Sequence, residues 1–344
     1  MNSPLWRPIE ERFDVHLDTD LPTIVTEGKP VVLRGLIASW PSVQDACDTQ
    51  ALMTRLKDHY NGQPTMIYQA ERNVKGRYAY TEDISSLNYQ SVRGNVAEML
   101  DEILATLDKP DAPSRYVASN QLHTHFPGFL DSNSLTLPQS VLAPDNSPPL
   151  ASIWIGNHSI ACAHFDALEN IACCVAGRRQ FNLFPPNQVA NLYPGPLHLT
   201  PGGQPVTLVD IHDPDLSRFP RYKVAQQHGY QTELQPGDAI YIPTMWWHQV
   251  EGLSAFNVMV NYWWNQSPRY QASGMNALFH GLLAIRDKSA AEKAAWRALF
   301  DYYIFSDDDS CREHIPLHAQ GPLAPLDENM ARQLRALLLR QLNR

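Results

Sequence analysis

The sequence has no apolar run near the roughly 20 residues needed to cross a bilayer, so no membrane-spanning helix is expected. It has no Cys-x-x-Cys and only five cysteines, Cys47, Cys162, Cys173, Cys174 and Cys311. That odd, scattered set argues against a disulfide framework or a structural zinc cage and predicts buried free thiols in a reducing compartment. Gly-x-Gly-x-x-Gly, the P-loop, Gly-x-Ser-x-Gly and His-Glu-x-x-His are all missing, which weakens dinucleotide, nucleoside-triphosphatase, serine-hydrolase and zincin readings. The opening residues, 1–11, contain no apolar core with a cleavage site, so the chain is expected to be soluble and cytoplasmic, with no membrane partner. Basic residues are the minority: 27 Lys and Arg against 36 Asp and Glu give a net charge of −9. Bulk nucleic-acid binding is therefore not expected, although a local basic groove for a modified RNA stays open.

What is present is core material and punctuation. The 344 residues are 44% hydrophobic and 18% charged, enough apolar content for a large core. The 27 prolines cluster at 138–149, 185–205 and 214–220 and mark loops. Residues 1–115 read as mixed α/β, with a short strand at 30–36 and helical spacing at 49–60 and 96–107. Residues 116–265 turn β-rich, with strands expected at 152–156, 171–176, 180–184, 205–209, 239–242 and 256–264. Many short strands at this spacing suggest an antiparallel sandwich or barrel. Residues 266–344 return to helix. Met275, Leu278, Phe279, Leu282 and Leu283 form one stripe, Trp296, Leu299, Phe300 and Tyr303 another, and Leu326 to Leu342 a third. These stripes either pack on the barrel or pair with a second copy, and a homodimer is the expectation.

One constellation carries chemistry. His164 and Asp166 are two apart, so in extended chain they present an imidazole and a carboxylate to one side, and His248 lies beside a later strand. Two histidines and one carboxylate leave metal positions open, as in non-haem Fe(II) oxygenases. The spacing alone is weak: His16 and Asp18 match it too, and there a surface role is expected because no strand pair stands behind them. His123 and His125 have no carboxylate beside them and read as loop residues. Trp246 and Trp247 either line the metal or fill core, with core filling favoured.

The context of the pair is the stretch 163–186, opening Ala-His-Phe-Asp-Ala-Leu-Glu-Asn, and the stretch 236–248, Pro-Gly-Asp-Ala-Ile-Tyr-Ile-Pro-Thr-Met-Trp-Trp-His. Both resemble the JmjC and cupin-like Fe(II)/2-oxoglutarate oxygenases, closest in style to the factor-inhibiting-HIF-like asparaginyl hydroxylase branch. The resemblance covers 150–264 well and 30–41 more loosely. It implies a mainly β fold with flanking helices: a double-stranded β-helix of the cupin jelly-roll kind, with an N-terminal α/β buttress and a C-terminal helical segment. It implies Fe(II) on His164, Asp166 and His248, with 2-oxoglutarate and O2 as co-substrates and a protein, peptide or small-molecule substrate. The far carboxylate of 2-oxoglutarate would sit on Arg179, where the family usually has lysine, with Arg178 the rival if register slips by one. Tyr116, Asn170 and Asn261 would complete that pocket. A threonine usual in the family is Ala161 here, and Ser159 could compensate. Two rivals stay open: a metal-dependent cupin dioxygenase or isomerase without 2-oxoglutarate, and a catalytically silent metal-binding interaction module.

Overall fold

A computed structural model describes residues 6–109, 111–145 and 147–343; the expectation about the opening segment falls partly on residues 1–5, outside that range. The chain divides into two compact units, Met1–Gln266 and Ser267–Arg344.

In chain order the strands of the first unit are β1 (Arg7–Pro8), β2 (Glu10–Arg12), β3 (Val31–Leu33), β4 (Thr65–Ala70), β5 (Arg77–Tyr78), β6 (Gln90–Gly94) and β7 (Ser114–Gln121). They continue as β8 (Leu150–Gly156), β9 (Ile160–Phe165), β10 (Glu169–Ala176), β11 (Arg179–Phe184), β12 (Tyr230–Leu234), β13 (Ala239–Ile242), β14 (Trp247–Gly252) and β15 (Asn257–Trp264). One sheet has the order β1-β12-β11-β14-β9-β5 and the other β2-β3-β13-β10-β15-β8-β7-β4-β6. From β8 to β15 the chain passes between the two sheets, which is the double-stranded β-helix, and strands of the first 115 residues extend both sheets.

The helices are α1 (Leu17–Glu27), α2 (Pro41–Gln44), α3 (Thr49–His59), α4 (Val96–Leu104), α5 (Leu122–His125) and α6 (Tyr222–His228), then α7 (Gly274–Ala284), α8 (Ala290–Tyr303) and α9 (Glu328–Leu342) in the second unit. α3 starts where the Asp48 carboxylate caps the N–H groups of Gln50 and Ala51, and α4 where Asn95 caps Ala97 and Glu98. Their apolar faces, Leu52, Met53 and Leu56 with Met99, Leu100 and Ile103, join Leu21 and Ile24 of α1 in one core with the outer face of the larger sheet. Alternation explains what that sheet offers. Ile171, Cys173 and Val175 of β10 and Val258, Val260 and Tyr262 of β15 belong to this helix-covered core. Ala172, Cys174 and Met259 belong instead to the core between the sheets, with Phe181, Leu183, Ile240, Ile242 and Val250. Both faces are buried, so all eight residues of β10 and of β15 are buried and their sequences run nearly continuously apolar.

Two expectations are corrected. Residues 205–209 do not form a strand; only an isolated bridge links Pro194 and Thr207. The Thr207 hydroxyl donates to the Leu192 carbonyl at 2.5 Å and accepts from the Val209 N–H at 3.1 Å, so side-chain bonds take backbone partners that a ladder would need. Cys47 is exposed rather than buried; Cys162, Cys173 and Cys174 are buried, Cys311 is intermediate, and all five are free. Among the described residues no helix is long and apolar enough to cross a membrane. In the second unit the expected stripes lie on α7, α8 and α9, yet Leu278, Phe279, Leu283, Trp296, Leu299, Leu337, Leu338 and Leu342 remain exposed.

Candidate metal centre and co-substrate pocket

His164 lies in β9, Asp166 just past its end, and His248 in β14. The sequence put His164 just before a strand and His248 beside one; each lies inside a strand of its own, β9 and β14, neither of them among the strands expected. β9 and β14 run antiparallel with His248 opposite His164, and this register brings the imidazoles together, ring centroids 4.4 Å apart. His248 Nε2 is 3.6 Å from Asp166 Oδ2. One ligand atom from each of the three residues lies within 4.8 Å of the others, the only such His/Cys/Asp/Glu cluster among the described residues. His16 and Asp18 are exposed at the start of α1; His123 and His125, expected in a loop, lie instead in the one-turn helix α5, apart from any such cluster.

Backbone carbonyls orient both rings. His164 Nδ1–H donates to the Cys162 carbonyl at 2.9 Å, and His248 Nδ1–H to the Trp246 carbonyl at 3.0 Å. A carbonyl only accepts, so each ring has a proton on Nδ1, and Nε2 is the atom left for a metal. Burial, then the neighbouring His164, push the His248 pKa down to about 4, against the pull of Asp166. The ring is thus neutral, as a metal ligand must be. Two imidazoles and one carboxylate suit a divalent iron with positions to spare, whereas a structural zinc site closes with four protein ligands.

The strand β11 supplies a cation. Arg179 shares its face with Phe181 and Leu183, inside the barrel, and is 1% exposed. Arg178 points the other way, where it pairs with Glu233 at 3.1 Å. Nε and Nη2 of Arg179 have no hydrogen-bond partner, and among the described residues no ion pair involves it. The titratable groups that act on it are the Tyr116 hydroxyl and the Cys174 thiol. Burial raises the Tyr116 hydroxyl pKa, with Arg179 opposing, and burial pushes the Cys174 thiol up to about 12 despite Arg179. Burial lowers the pKa of Arg179 itself, opposed first by Tyr116. A buried guanidinium with unmade donors and no counter-charge fits a carboxylate ligand.

The other expected pocket residues occupy the same interior. Asn261 Nδ2–H donates to Asn170 Oδ1 at 2.6 Å, leaving Asn261 Oδ1 buried without a partner. Ala161 pairs with Val250, a residue of the inter-sheet core, so no hydroxyl is offered there. Ser159 is buried ahead of β9, and its carbonyl accepts the Gly252 N–H at 2.9 Å. Trp247 is 2% exposed and packs edge-on against Phe165 with centroids 5.1 Å apart, which is core filling. Trp246 stacks edge-on with Tyr230 at 5.9 Å.

Sequence reasoning missed three residues. Trp154 and Trp263 carry buried indole N–H groups without partners, and the Trp154 ring lies 5.8 Å from Tyr116 and 5.7 Å from Trp263. The two-residue step from Asn261 could have placed Trp263 on this face; nothing local marks Trp154. The third, Glu169, is a buried carboxylate whose partners come from distant sequence.

Residues 19–270 match a family model described as a cupin-like domain. The chain is 30% identical over 142 residues to the lysine-specific demethylase JMJ31 of Arabidopsis thaliana, covering 41% of this chain and 23% of the relative. It is 32% identical over 115 residues to human HSPB1-associated protein 1, covering 33% and 23%. It is 25% identical over 240 residues to the Jumonji C domain-containing protein 5 of Drosophila melanogaster, covering 69% and 55%. The chain thus spans about a quarter of the length of the first two relatives and about half of the third. None of the three is named as an asparaginyl hydroxylase. The match over 19–270, on a jelly roll with a His-Asp-His cluster in its core, means that the chain belongs to the JmjC/cupin-like family of Fe(II)- and 2-oxoglutarate-type oxygenases.

Proposed function

We propose that this protein is an Fe(II)- and 2-oxoglutarate-dependent oxygenase that hydroxylates a side chain of a protein or peptide. The observation that carries the reading is the pairing of an open His164–Asp166–His248 face with the buried, unpartnered guanidinium of Arg179. A cupin dioxygenase or isomerase without 2-oxoglutarate has no use for that cation.

When bound, iron supplies the oxidation in which substrate, O2 and 2-oxoglutarate give hydroxylated substrate, succinate and CO2. The residues of the chain do the rest. His164 and His248 present Nε2, and Asp166 adds the single negative charge. Arg179 clamps the far carboxylate of 2-oxoglutarate through two parallel N–H bonds, a fork that a lysine lacks. Tyr116 donates its hydroxyl to the same carboxylate, and Asn170 and Asn261 line the route with amide groups. The apolar wall of Phe181, Ile240, Ile242 and Val250 keeps water from the reacting centre.

The likeness to the asparaginyl hydroxylase branch favours stable hydroxylation. A relative named as a demethylase makes removal of a methyl group the outcome to test against it. Candidate peptides are incubated with the Fe(II)-loaded protein, 2-oxoglutarate and air. The proposed function predicts succinate release that depends on the peptide, and a product heavier by one oxygen atom. A product lighter by a methylene equivalent would mean demethylation, and succinate that never depends on peptide would move the search to small molecules or modified RNA. We further propose a cytoplasmic location, in keeping with five free cysteines.

A further inference from the structure

Glu169 is a buried carboxylate that the proposed reaction leaves unused. It opens β10, three residues past Asp166, and is 8% exposed. Its Oε2 accepts the Tyr241 hydroxyl at 2.7 Å and the Thr244 N–H at 3.2 Å. Thr244 belongs to the turn between β13 and β14, the turn that leads to His248. A second stitch lies beside the first: the Met245 N–H donates to the carbonyl of Asp166 at 2.7 Å.

The turn so held is strained. Met245 sits at φ +65°, a left-handed conformation that side-chain-bearing residues rarely adopt and that persists only where the surroundings impose it. The next residue, Trp246, donates its N–H to Pro243 at 3.2 Å and accepts the His248 Nδ1–H at 3.0 Å. The aim of the Trp246 carbonyl therefore sets the aim of the His248 imidazole. A chain of contacts runs from Glu169 through Thr244 and Met245 to Trp246 and the ligand.

We infer that Glu169 is a positioning residue of the metal centre: it pins the 243–246 turn in its left-handed form and so fixes His248 against Asp166. The inference rests on the metal reading above. A carboxylate is not essential for it. One oxygen receives both donors, so a side-chain amide oxygen at the same place serves as well.

The test is a titration of the 344-residue chain with Co(II), followed by d–d absorbance, beside the melting temperature of the metal-free protein. Glu169→Ala should weaken Co(II) binding by about tenfold, the lower end of what losing a ligating histidine's own hydrogen-bond partner costs, because Glu169 acts only through the turn that carries that partner. Glu169→Gln should bind as the parent does. Met245→Gly added to Glu169→Ala should recover most of the lost affinity, because glycine adopts the left-handed turn unaided. If Glu169→Ala does not fold, Glu169→Leu, which fills the space, carries the same expectation. A lower melting temperature with unchanged Co(II) affinity would make Glu169 a packing residue and overturn the inference. Failure of Glu169→Gln to bind would do the same, by showing that charge and not the stitch matters. Failure of the parent to bind Co(II) would remove the metal reading itself.

Discussion

At the scale of single residues, the most telling feature is an interaction left unmade. Arg179 is fully buried, its Nε and Nη2 donate to nothing, and the titratable groups that act on it are the Tyr116 hydroxyl and the Cys174 thiol. Unmade donors of this kind cost about 1–3 kcal/mol of folding stability. Arg179→Met should therefore raise the melting temperature of the ligand-free protein while abolishing its stabilisation by 2-oxoglutarate; calorimetry with and without the acid reads both. A variant that loses stability without ligand would mean that the guanidinium already has a partner. The family resemblance put the proposed anchor at Arg179, with Arg178 the rival if register slipped by one, since alternation allows only one of the two to point inward. The choice depends on which strand face meets Phe181 and Leu183, a tertiary fact. The metal triad was more legible, because His164 and Asp166 are local. Its third member, His248, was also named from the sequence through the 236–248 stretch, and the β9–β14 register sets it opposite His164. Glu169 was illegible: its partners Tyr241 and Thr244 are more than seventy residues away.

At the scale of elements, capped helices and continuously apolar strands were the readable parts. Residues 49–60 and 96–107 became α3 and α4, and 239–242 became β13. α1 was missed because Pro22 is its sixth residue, past the first turn, where a proline removes the bond its N–H would make to the Asp18 carbonyl and so argues against a helix. The 205–209 segment looked like a strand by composition, but its threonine side chain claims backbone partners. The turn that carries the chain from β10 in one sheet to β11 in the other, just ahead of Arg179, is made at Gly177 with φ +73°, where an added Cβ would run into Asn257 Oδ1 and the Phe256 carbonyl. Gly177→Ala should cost about 1–3 kcal/mol in chemical denaturation, the range for strained backbone positions, and should weaken 2-oxoglutarate binding with it. The loop that replaces the missing strand is fastened by His212, whose Nε2 is 2.8 Å from Glu251 Oε2 on β14. The contact with Glu251 raises the His212 pKa above its ordinary value of 6.5. A raised folded-state pKa stabilises fully below 6.5 and is lost as pH climbs through the raised value. His212→Gln should therefore destabilise the protein at pH 6 and do little at pH 9; an equal loss at both pH values would show that the charge plays no part.

At the scale of the whole molecule, two features call for partners. The unit Ser267–Arg344 leaves Phe279, Leu283, Leu299, Leu338 and Leu342 exposed on its helices, more apolar surface than a helical unit in water ordinarily shows. We propose that these faces pair in a homodimer. Light scattering should give twice the chain mass of 38.8 kDa, falling to a single chain when Leu338 and Leu342 are both replaced by glutamate. A parent mass of one chain would contradict this. The barrel of the other unit calls for a metal and an acid. The most direct test is an anaerobic titration of the metal-free protein with Fe(II) and then 2-oxoglutarate, watching for the weak visible charge-transfer band of the iron–keto-acid chelate. The account predicts a band in the parent protein that is lost in Asp166→Ala, where iron is not held, and in Arg179→Met, where the acid is not anchored. Iron binding without any band in the parent would contradict the assignment of Arg179 and of 2-oxoglutarate, and would give the lead to a cupin enzyme that works without it.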